Sequence, residues 1–427
     1  MSIRPFRFVH ASDFHLEQPA HGIAEIPAHL RQLLIEAPYQ AAQRVFDCVL
    51  AEDAEFLVLS GDLVDPPKSG PRAVLFLTEQ FQRLAVGNIP VYWCGGAVDP
   101  PDAWPTWATL PENVHVFPRG RIAEFVHQRD GVPLVRLIGL SSGDCPNFRA
   151  SENGTVPFSA KRAITGEGFV RDPMGLFSVG VVHGSAADIA AIESRGLDYW
   201  ALGGKHARST LFSSPQTAHW PGSPQGRSLA ETGAHGCTVV HVDANHEAKL
   251  VFLSTDVIRW ANQRVAVDDG ASRHDLQTLL QERLQSLMDS APGMTILVSW
   301  TIVGSGVLWR QLRRGELAQQ LLAELRSETG PAAPAAWSLT LAAEAAEDLP
   351  GDWYEQETIL GDFLRSIRHW QINAGEPIDL SPYLDERHLA GTLGAAVAIG
   401  DETVRQRVLR EATWLGVDLL TGEEPSS

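Results

Sequence analysis

The sequence predicts an α/β protein made of three consecutive parts. They are a layered α/β domain over residues 1–256, a small β-α-β-α-β unit over residues 257–349 and a helical segment over residues 350–427. In the first part, short runs rich in β-branched and aromatic residues alternate with helical stretches, which is typical of layered α/β domains. In the second part the alternation continues in a compact form, and in the third part only helical spacing of apolar residues remains.

The composition indicates a globular protein with more than one core. A chain of 427 residues is too long for one ordinary hydrophobic core, so two or three domains are expected. Its 44% hydrophobic and 20% charged residues are typical of soluble proteins. The sequence has no apolar stretch of about eighteen residues and no apolar signal segment before the first strand. We therefore expect a cytoplasmic protein that does not span a membrane.

Cysteine spacing and net charge exclude several classes of site. The cysteines are far apart and lack Cys-x-x-Cys spacing, so neither a zinc knuckle nor a disulfide framework is indicated. They are Cys48, Cys94, Cys145 and Cys237, which we expect to be reduced and mostly buried. The formal charge of −18 argues against a protein that coats nucleic acid over a broad surface, because phosphate neutralisation requires clustered Lys and Arg. This negative charge is compatible with a local basic groove, or with a partner that supplies positive charge.

Polar residues follow each of the first three predicted strands. They are Asp13-Phe14-His15 after the strand that starts at Phe6, Gly61-Asp62 after Phe56–Ser60, and Gly95-Gly96-Ala97-Val98-Asp99 after Ile89–Cys94. Helices are predicted between these strands, over about residues 27–53 and 72–86. Because ligands of open α/β sheets bind at the carboxyl ends of the strands, we expect these polar residues to share one site.

Two later strands also end in polar residues. His183-Gly184 follows Phe177–Val182, and Gly203-Gly204-Lys205-His206 follows Tyr199–Leu202.

The remaining predicted elements are a meander of Val114–Phe117, Ile122–Val126 and Leu134–Gly139, a polar loop over about 141–165, a helix over about 186–194, and a hairpin of Cys237–Val242 and Leu250–Leu253. The hairpin follows Pro221-Gly222-Ser223-Pro224-Gln225-Gly226-Arg227, in which turn residues predominate.

The last two parts are predicted from periodicity. The small unit contains strands at Arg264–Val267, Met294–Val303 and Trp337–Leu341, with helices over about 276–288 and 312–326 and a linker at 330–334. Beyond residue 350, apolar residues form one helical stripe around Ile359–Ile367 and another around Val404–Leu415. Such terminal amphipathic helices either pack on their own domain or dock on a partner, and the pattern alone favours neither.

Each polar strand end has an ordinary explanation when it is taken alone. An Asp-x-His pair occurs by chance, Gly-Asp after a strand is commonly a helix N-cap, and His183 could be a hydrogen-bonded core histidine. The order of the five polar ends along the chain, however, resembles that of calcineurin-like metallophosphoesterases. Carboxylate and imidazole ligands of this kind suit manganese, iron or zinc.

Several stretches narrow the resemblance. They are His10–Leu16, Gly61–Asp65, Val182–Gly184, Pro221–Arg227 and Asp256–Trp260. Together they resemble the SbcD family of DNA double-strand-break nucleases, in particular its YhaO-like branch. This resemblance implies a four-layer metallophosphoesterase β-sandwich flanked by helices, with the small α/β unit as a capping domain. It also implies an SbcC-like, SMC-like coiled-coil ATPase partner that the C-terminal helices bind, DNA ends reached through that complex, and a homodimer.

The resemblance carries over only part of the metal site. Asp13, His15, Asp62 and His206 correspond to the ligands of the first metal, and Asp62 also bridges to the second. His183 is the other second-metal ligand that is present. The family's remaining positions are altered: its metal-binding Asn is Ala97, its proton-donating His is Val98, and the first His of its Gly-His-x-His motif is Gly204.

These replacements predict one divalent metal ion, with a second that is weakly bound or absent. Lys205 cannot ligate while protonated, Cys94 is a soft ligand in a hard site, and Asp99 is expected to support its loop. An aliphatic side chain at position 98 cannot donate a proton, so we expect weak or absent nuclease activity. Two hypotheses follow. The chain is either a DNA nuclease subunit with an impaired or single-metal centre, or a pseudonuclease that acts as a scaffold. A phosphoesterase for a small substrate is a third, disfavoured by the capping unit and the Pro221–Arg227 run.

Overall fold

The structure of the protein is a computed structural model. It describes residues 4–142, 169, 172, 175–184, 196–213, 215–328, 336–345, 349, 351–373, 378–379, 398–399 and 402–420. Most of the polar loop expected over 141–165, the helix expected over 186–194 and the linker at 330–334 lie outside the described residues. The chain divides into two compact units, Met1–Glu344 and Ala345–Ser427.

The described strands and helices are numbered in chain order. The strands are β1 (Phe6–Ala11), β2 (Leu57–Leu59), β3 (Val91–Trp93), β4 (Val114–Val116), β5 (Ala123–Arg129), β6 (Val132–Leu140), β7 (Phe177–His183), β8 (Tyr199–Gly203), β9 (Ser209–Phe212), β10 (Thr217–Trp220), β11 (Gly236–Val242), β12 (Ala248–Ser254), β13 (Ile258–Val267), β14 (Thr295–Gly304), β15 (Ala336–Ala345), β16 (Ile378–Asp379) and β17 (Ala398–Ile399). The α-helices are α1 (Ala28–Ala51), α2 (Pro66–Ser69), α3 (Pro71–Val86), α4 (Arg273–Ser290), α5 (Gly306–Arg313), α6 (Glu316–Glu328), α7 (Ile359–Ile372) and α8 (Glu402–Leu420). Short 3-10 helices lie at Pro101–Ala103 and Gly351–Glu355.

Two six-stranded sheets form the larger part of the first unit. Their strand orders are β12-β11-β1-β2-β3-β4 and β5-β6-β7-β8-β10-β9. Aromatic and β-branched side chains from both sheets, including Phe8, Phe56 and Tyr199, form a buried core between them. The other face of the first sheet packs against α1 and α3 through residues such as Phe46 and Phe81. The predicted α/β fold class is therefore confirmed.

Parallel pairing brings the predicted site residues to one edge. β1, β2 and β3 are mutually parallel, with Ala11 opposite Leu59 and Leu59 opposite Trp93. In the second sheet β7 and β8 are also parallel, and His183 lies opposite Gly203. Because parallel strands end at the same edge, the polar residues after these strands come close together although they are far apart in sequence.

Three details differ from the sequence prediction. The expected meander is wrong, because β4 pairs with β3 in the first sheet whereas β5 pairs with β6 in the second. Strands β9 and β10 do not follow from the sequence pattern, because each is only four residues long and half of its residues are apolar. The helix expected over 312–326 is two helices, α5 and α6, separated at Gly315, whose φ of +92° cannot continue a right-handed helix.

The small α/β part carries a three-stranded sheet in the order β13-β14-β15. Helices α4, α5 and α6 cover one face of this sheet through a core that includes Leu280 and Trp300. The other face packs against α1, where Trp260 and Leu297 meet Leu34. This part is therefore held against the two-sheet sandwich by an apolar interface.

The second unit contains the 3-10 helix, α7, α8 and the short pair β16-β17. Thr358 caps α7 by accepting a hydrogen bond from the backbone N–H of Gly361 at 3.2 Å. Leu349, Leu364 and Val417 form its small buried core. Among the described residues, no helix is both long and apolar enough to cross a membrane.

Candidate metal centre

Three of the predicted metal ligands have left-handed backbone conformations. The φ angles are +57° at Asp13, +43° at His15 and +55° at Asp62. The loops that contain them run side by side, because the N–H of Asp13 donates to Gly61 O at 2.9 Å and that of His15 to Asp62 O at 3.0 Å. Non-glycine residues in this conformation are strained and cluster at functional sites. The strain marks the ends of β1 and β2 as a candidate site.

Asp13, His15 and His206 form a first potential ligand group. One ligand atom from each lies within 4.8 Å of the others. Within the described part of the chain, Nε2 of His15 is buried and has no hydrogen-bond partner. This nitrogen lies 3.6 Å from Oδ2 of Asp62, so Asp62 borders the group. A buried imidazole nitrogen that has no hydrogen-bond partner among the described residues and lies beside two carboxylates fits a divalent cation of the manganese, iron or zinc type.

Both histidines of this group also contact a carboxylate. Nδ1 of His15 lies 3.3 Å from Oε1 of Glu17, and Nδ1 of His206 lies 2.6 Å from Oε1 of Glu231. Burial opposes ionisation of Glu231, but its hydrogen bond with His206 and the charge of Arg227 lower the pKa of Glu231 to about 2. Carboxylate partners of this kind orient metal-binding histidines and leave Nε2 for the metal.

Asp13, Asp62 and His183 form a second potential ligand group, again with ligand atoms within 4.8 Å of one another. The resemblance makes Asp62 the shared carboxylate, whereas here Asp13 belongs to both groups. Nδ1 of His183 donates to Ser60 O at 2.8 Å, and Nε2 lies 3.2 Å from Oδ2 of Asp62. Burial opposes protonation of His183, but its hydrogen bond with Asp62 raises the pKa of His183 to about 9. Burial also opposes ionisation of Asp62, yet His183 holds the pKa of Asp62 well below its usual range.

Two of the three altered positions, Val98 and Gly204, supply backbone contacts to candidate ligands. Ala97 is exposed, and the N–H of Val98 donates to Oδ1 of Asp62 at 3.0 Å. The N–H of Gly204 lies 3.1 Å from both carboxylate oxygens of Asp13. Gly204 has a φ of +91°, and a Cβ atom there would lie 3.2 Å from Nε2 of His183. These residues hold the remaining carboxylates in place but add no metal-binding side chain.

The other candidate ligands point to other partners. Asp99 accepts hydrogen bonds from the backbone N–H groups of Asp62, Leu63 and Gly96, at 2.8, 2.9 and 2.5 Å. The thiol of Cys94 donates to Leu140 O at 3.2 Å. Nζ of Lys205 donates to Ser209 Oγ at 2.9 Å. Asp99 therefore holds the loop after β3 against the loop after β2.

Close packing at this edge also explains a glycine in the loop after β3. A Cβ atom at Gly96 would lie 2.2 Å from Oδ1 of Asp62, which is far inside van der Waals contact. Any side chain at this position would displace the Asp62 carboxylate. Gly96 is therefore needed for the close approach of the two loops.

Sequence reasoning missed three residues that support the ligands. Ser12 Oγ donates to Oδ2 of Asp13 at 2.5 Å, and Glu17 and Glu231 contact the two histidines as described above. Ser12 and Glu17 lie within two residues of a predicted ligand, which is a weak signal. Glu231 is 25 residues from His206, so only the fold brings these two side chains together.

Comparisons with known proteins show what this chain is similar to. Residues 6–207 match the family model of calcineurin-like phosphoesterases. Over 313 residues the chain is 26% identical to a Bacillus subtilis (strain 168) protein named uncharacterized metallophosphoesterase YhaO, which covers 71% of this chain and 72% of that protein. A crystal structure of a dimetal phosphatase from Danio rerio matches with a TM-score of 0.36 and 12% identity, over 58% of this chain and 99% of that one. Residues 6–207 are therefore similar to calcineurin-like phosphoesterases, in agreement with the order of the polar strand ends in the sequence.

Proposed function

We propose that this chain is the nuclease-type subunit of a complex that acts on DNA ends, and that it binds one divalent cation and cleaves phosphodiesters weakly or not at all. The observation that supports the proposal is the contrast between the two ligand groups. The first holds Nε2 of His15, which has no hydrogen-bond partner among the described residues, beside carboxylates. In the second, His183 contacts Asp62 directly, and the N–H of Val98 donates a hydrogen bond to Oδ1 of that carboxylate.

The residues of the first group would hold the cation, and the loss of an acid limits the chemistry. Asp13, His15 and His206 would ligate it, with Asp62 at the border of the group. A bound divalent ion would supply Lewis-acid stabilisation of a phosphate ester. General acids typically contribute about 10²–10⁴-fold to a rate, and Val98 cannot protonate a leaving oxygen. Low or absent cleavage is therefore expected even when the cation is bound.

The proposed substrate and partner are supported by sequence motifs and surface chemistry. The run Pro221–Arg227 resembles that of SbcD-type nucleases. The charge of −18 favours a complex in which a coiled-coil, SMC-like ATPase supplies the positive surface for DNA. In the second unit Ile359, Ile372 and Leu419 are 75, 71 and 73% exposed, and we propose that they contact this ATPase. We also propose that the protein is cytoplasmic, because the spacing of its cysteines suggests no disulfide framework.

Metal content and DNA cleavage test the proposal together. The full chain, dialysed against Mn²⁺ and then against buffer, is analysed for bound ions and incubated with linear duplex DNA. One retained ion per chain, with cleavage that is slow or absent, is the expected result. Two retained ions and strong cleavage that Asp62→Ala abolishes would contradict it.

A non-catalytic scaffold is the second candidate. The direct contact between His183 and Asp62 favours it, because a protonated histidine can replace a second cation as the charge partner of Asp62. Complete absence of cleavage with one bound ion would support the scaffold. Slow cleavage that disappears in Asp62→Ala would support the weak nuclease.

A further inference from the structure

We propose that Glu231 is a positioning residue for the cation site, which fixes the tautomer of His206 so that Nε2 faces the first ligand group. We also propose that Arg227 holds the Glu231 carboxylate in place for this role. The proposal rests on the single-cation site proposed above, because it concerns the orientation of one of that site's ligands.

The geometry at Nδ1 of His206 decides the tautomer. This nitrogen has two polar neighbours, Oε1 of Glu231 at 2.6 Å and Nη2 of Arg227 at 3.1 Å. If Nδ1 carried no proton and accepted a hydrogen bond from Arg227, its lone pair would also face the carboxylate oxygen at 2.6 Å, which is repulsive. If Nδ1–H donates to Glu231, the contact is a short charge-assisted hydrogen bond. The proton therefore lies on Nδ1, and Nε2 carries the lone pair that a cation requires.

The Glu231 carboxylate is itself held from several sides. Its Oε2 accepts the backbone N–H of Arg227 at 2.8 Å and lies 3.5 Å from Nε of the Arg227 side chain. The backbone N–H of Glu231 donates to Ser228 O at 2.9 Å. Oε1 is therefore presented to His206 by a carboxylate whose other oxygen and backbone are already engaged.

Arg227 is an unusual side chain to bury, which supports a specific role. It is 1% exposed, and its Nε and Nη1 have no hydrogen-bond partner among the residues that the structure describes. A buried guanidinium with unpaired nitrogens is costly unless an opposite charge lies close. Glu231 is that charge, so the pair is mutually dependent.

The run Pro221–Arg227, which ends in this arginine, is anchored to the small α/β part. Trp260 Nε1 on β13 donates to Gly226 O at 2.8 Å, and Oε1 of Gln225 accepts the N–H of Val257 at 2.9 Å. The N–H of Ser223 donates to His206 O at 2.9 Å. The Pro221–Arg227 run thus joins β13 to both the backbone and the imidazole of one candidate ligand, which gives this run a physical role at the metal centre.

Two measurements on the full-length protein test the proposal. The first is Mn²⁺ affinity by calorimetry for the wild type, Glu231→Gln and the matched control Glu247→Gln, whose side chain is exposed. Loss of a partner that orients a metal-binding histidine typically costs about 10–100-fold in metal affinity, and we expect a loss of this size for Glu231→Gln alone. Unchanged affinity in a folded Glu231→Gln protein would overturn the proposal.

The second measurement needs no metal. Nitrogen-15 histidine spectra of the metal-free wild type, with His206 assigned by its absence in His206→Gln, report which ring nitrogen carries the proton. At a pH at which the ring is neutral, a proton on Nδ1 supports the proposal and a proton on Nε2 overturns it. If the wild type binds no Mn²⁺, the proposed function fails, whereas the tautomer still decides whether Glu231 positions His206.

Discussion

Nε2 of His183 lies 3.2 Å from Oδ2 of Asp62, so the two side chains assigned from sequence to a second cation are in direct contact. His183 also donates Nδ1–H to Ser60 O, which leaves Nε2 as the nitrogen that faces the carboxylate. A second cation would have to replace this hydrogen bond between the two side chains. The first ligand group needs no such rearrangement, because Nε2 of His15 has no hydrogen-bond partner among the described residues. This difference between the groups is the basis of the first two predictions.

Removing a first-group ligand should abolish tight ion binding, whereas removing His183 should not. His15→Ala deletes the unpartnered Nε2, so we expect no manganese to remain after dialysis. His183→Gln should keep one ion per chain, because His183 belongs only to the second group. Elemental analysis of both dialysed variants measures this. Loss of the ion in His183→Gln but not in His15→Ala would reverse the assignment.

Restoring the two lost side chains of the loop after β3 should restore activity. The double variant Ala97→Asn, Val98→His supplies an oxygen ligand and a proton donor beside Asp62, whose Oδ1 already contacts the backbone at position 98. We expect Mn²⁺-dependent cleavage of linear DNA to rise by roughly 10²-fold, the lower end of a general acid's contribution. Ala97→Asn alone, which lacks the acid, is the control. No gain in a folded double variant would contradict the assignment of these positions.

A side chain at Gly204 should cost stability beyond the strain of its backbone. The φ of +91° disfavours any L side chain, and a Cβ atom would press on His183 and Gly184 at 3.2 Å. Gly131 is a matched control, because it has a φ of +76° but open space around it. We expect Gly131→Ala to lower the free energy of unfolding by about 1 kcal/mol and Gly204→Ala by more. Equal losses in urea denaturation would show that the contact with His183 has no cost. Because a side chain at position 204 would meet these contacts, the double variant Ala97→Asn, Val98→His leaves Gly204 unchanged.

The buried His219 should make the fold sensitive to acid. Its Nδ1 and Nε2 lie 2.9 and 2.8 Å from the hydroxyls of Thr210 and Thr238. Burial, and then the charge of Arg208, lower the pKa of His219 to about 4. Since the unfolded histidine has a pKa of about 6.5, the unfolded state binds a proton that the folded state does not between these values. This contribution is fully present above about pH 6.5 and decreases as the pH falls toward 4, by on the order of 3 kcal/mol in total.

Urea denaturation at several pH values checks this effect. His219→Gln should flatten the pH dependence of the free energy of unfolding between about pH 4 and 6.5. His274→Gln, at an exposed position of α4, should leave it unchanged. Parallel plots of the free energy of unfolding against pH for the wild type and His219→Gln would contradict the prediction.

Gln225 should be a major contributor to the stability of the joint between the two sheets and the small α/β part. Its Oε1 accepts the N–H of Val257 at 2.9 Å, and its Nε2 donates to Ile258 O at 2.6 Å. Gln225→Ala leaves these buried backbone groups unpaired, at about 1–3 kcal/mol each, so we expect a loss of about 3 kcal/mol. Gln285→Ala on α4, whose amide contacts an exposed Asp289, should change stability by less than about 0.5 kcal/mol. Similar chemical denaturation midpoints for the two variants would show that the hydrogen bonds of Gln225 contribute little to the stability of the protein.

Much of the fold could be predicted because local sequence patterns carry it. Apolar β-rich runs identify β1, β2, β7 and β8, and each of these strands ends at polar residues. The missed strands β9 and β10 lack that pattern and form because they extend the second sheet beside β8. The helix break at Gly315 depends on a backbone angle that the apolar spacing of the flanking residues does not reveal. Short-range periodicity thus predicts strong elements and misses those that tertiary pairing creates.

The sequence by itself determined which ligand types are present and which are missing, because Asp13, His15, Asp62, His183 and His206 follow strands while Ala97, Val98 and Gly204 have no metal-binding atoms. Only the tertiary structure decided how these residues are used. It places Asp13 in both ligand groups and brings Glu231 to His206 across 25 residues of chain. The physical reason is that side-chain chemistry is a local property of the sequence, whereas distances and hydrogen-bond partners depend on how parallel strands and their loops converge at one edge.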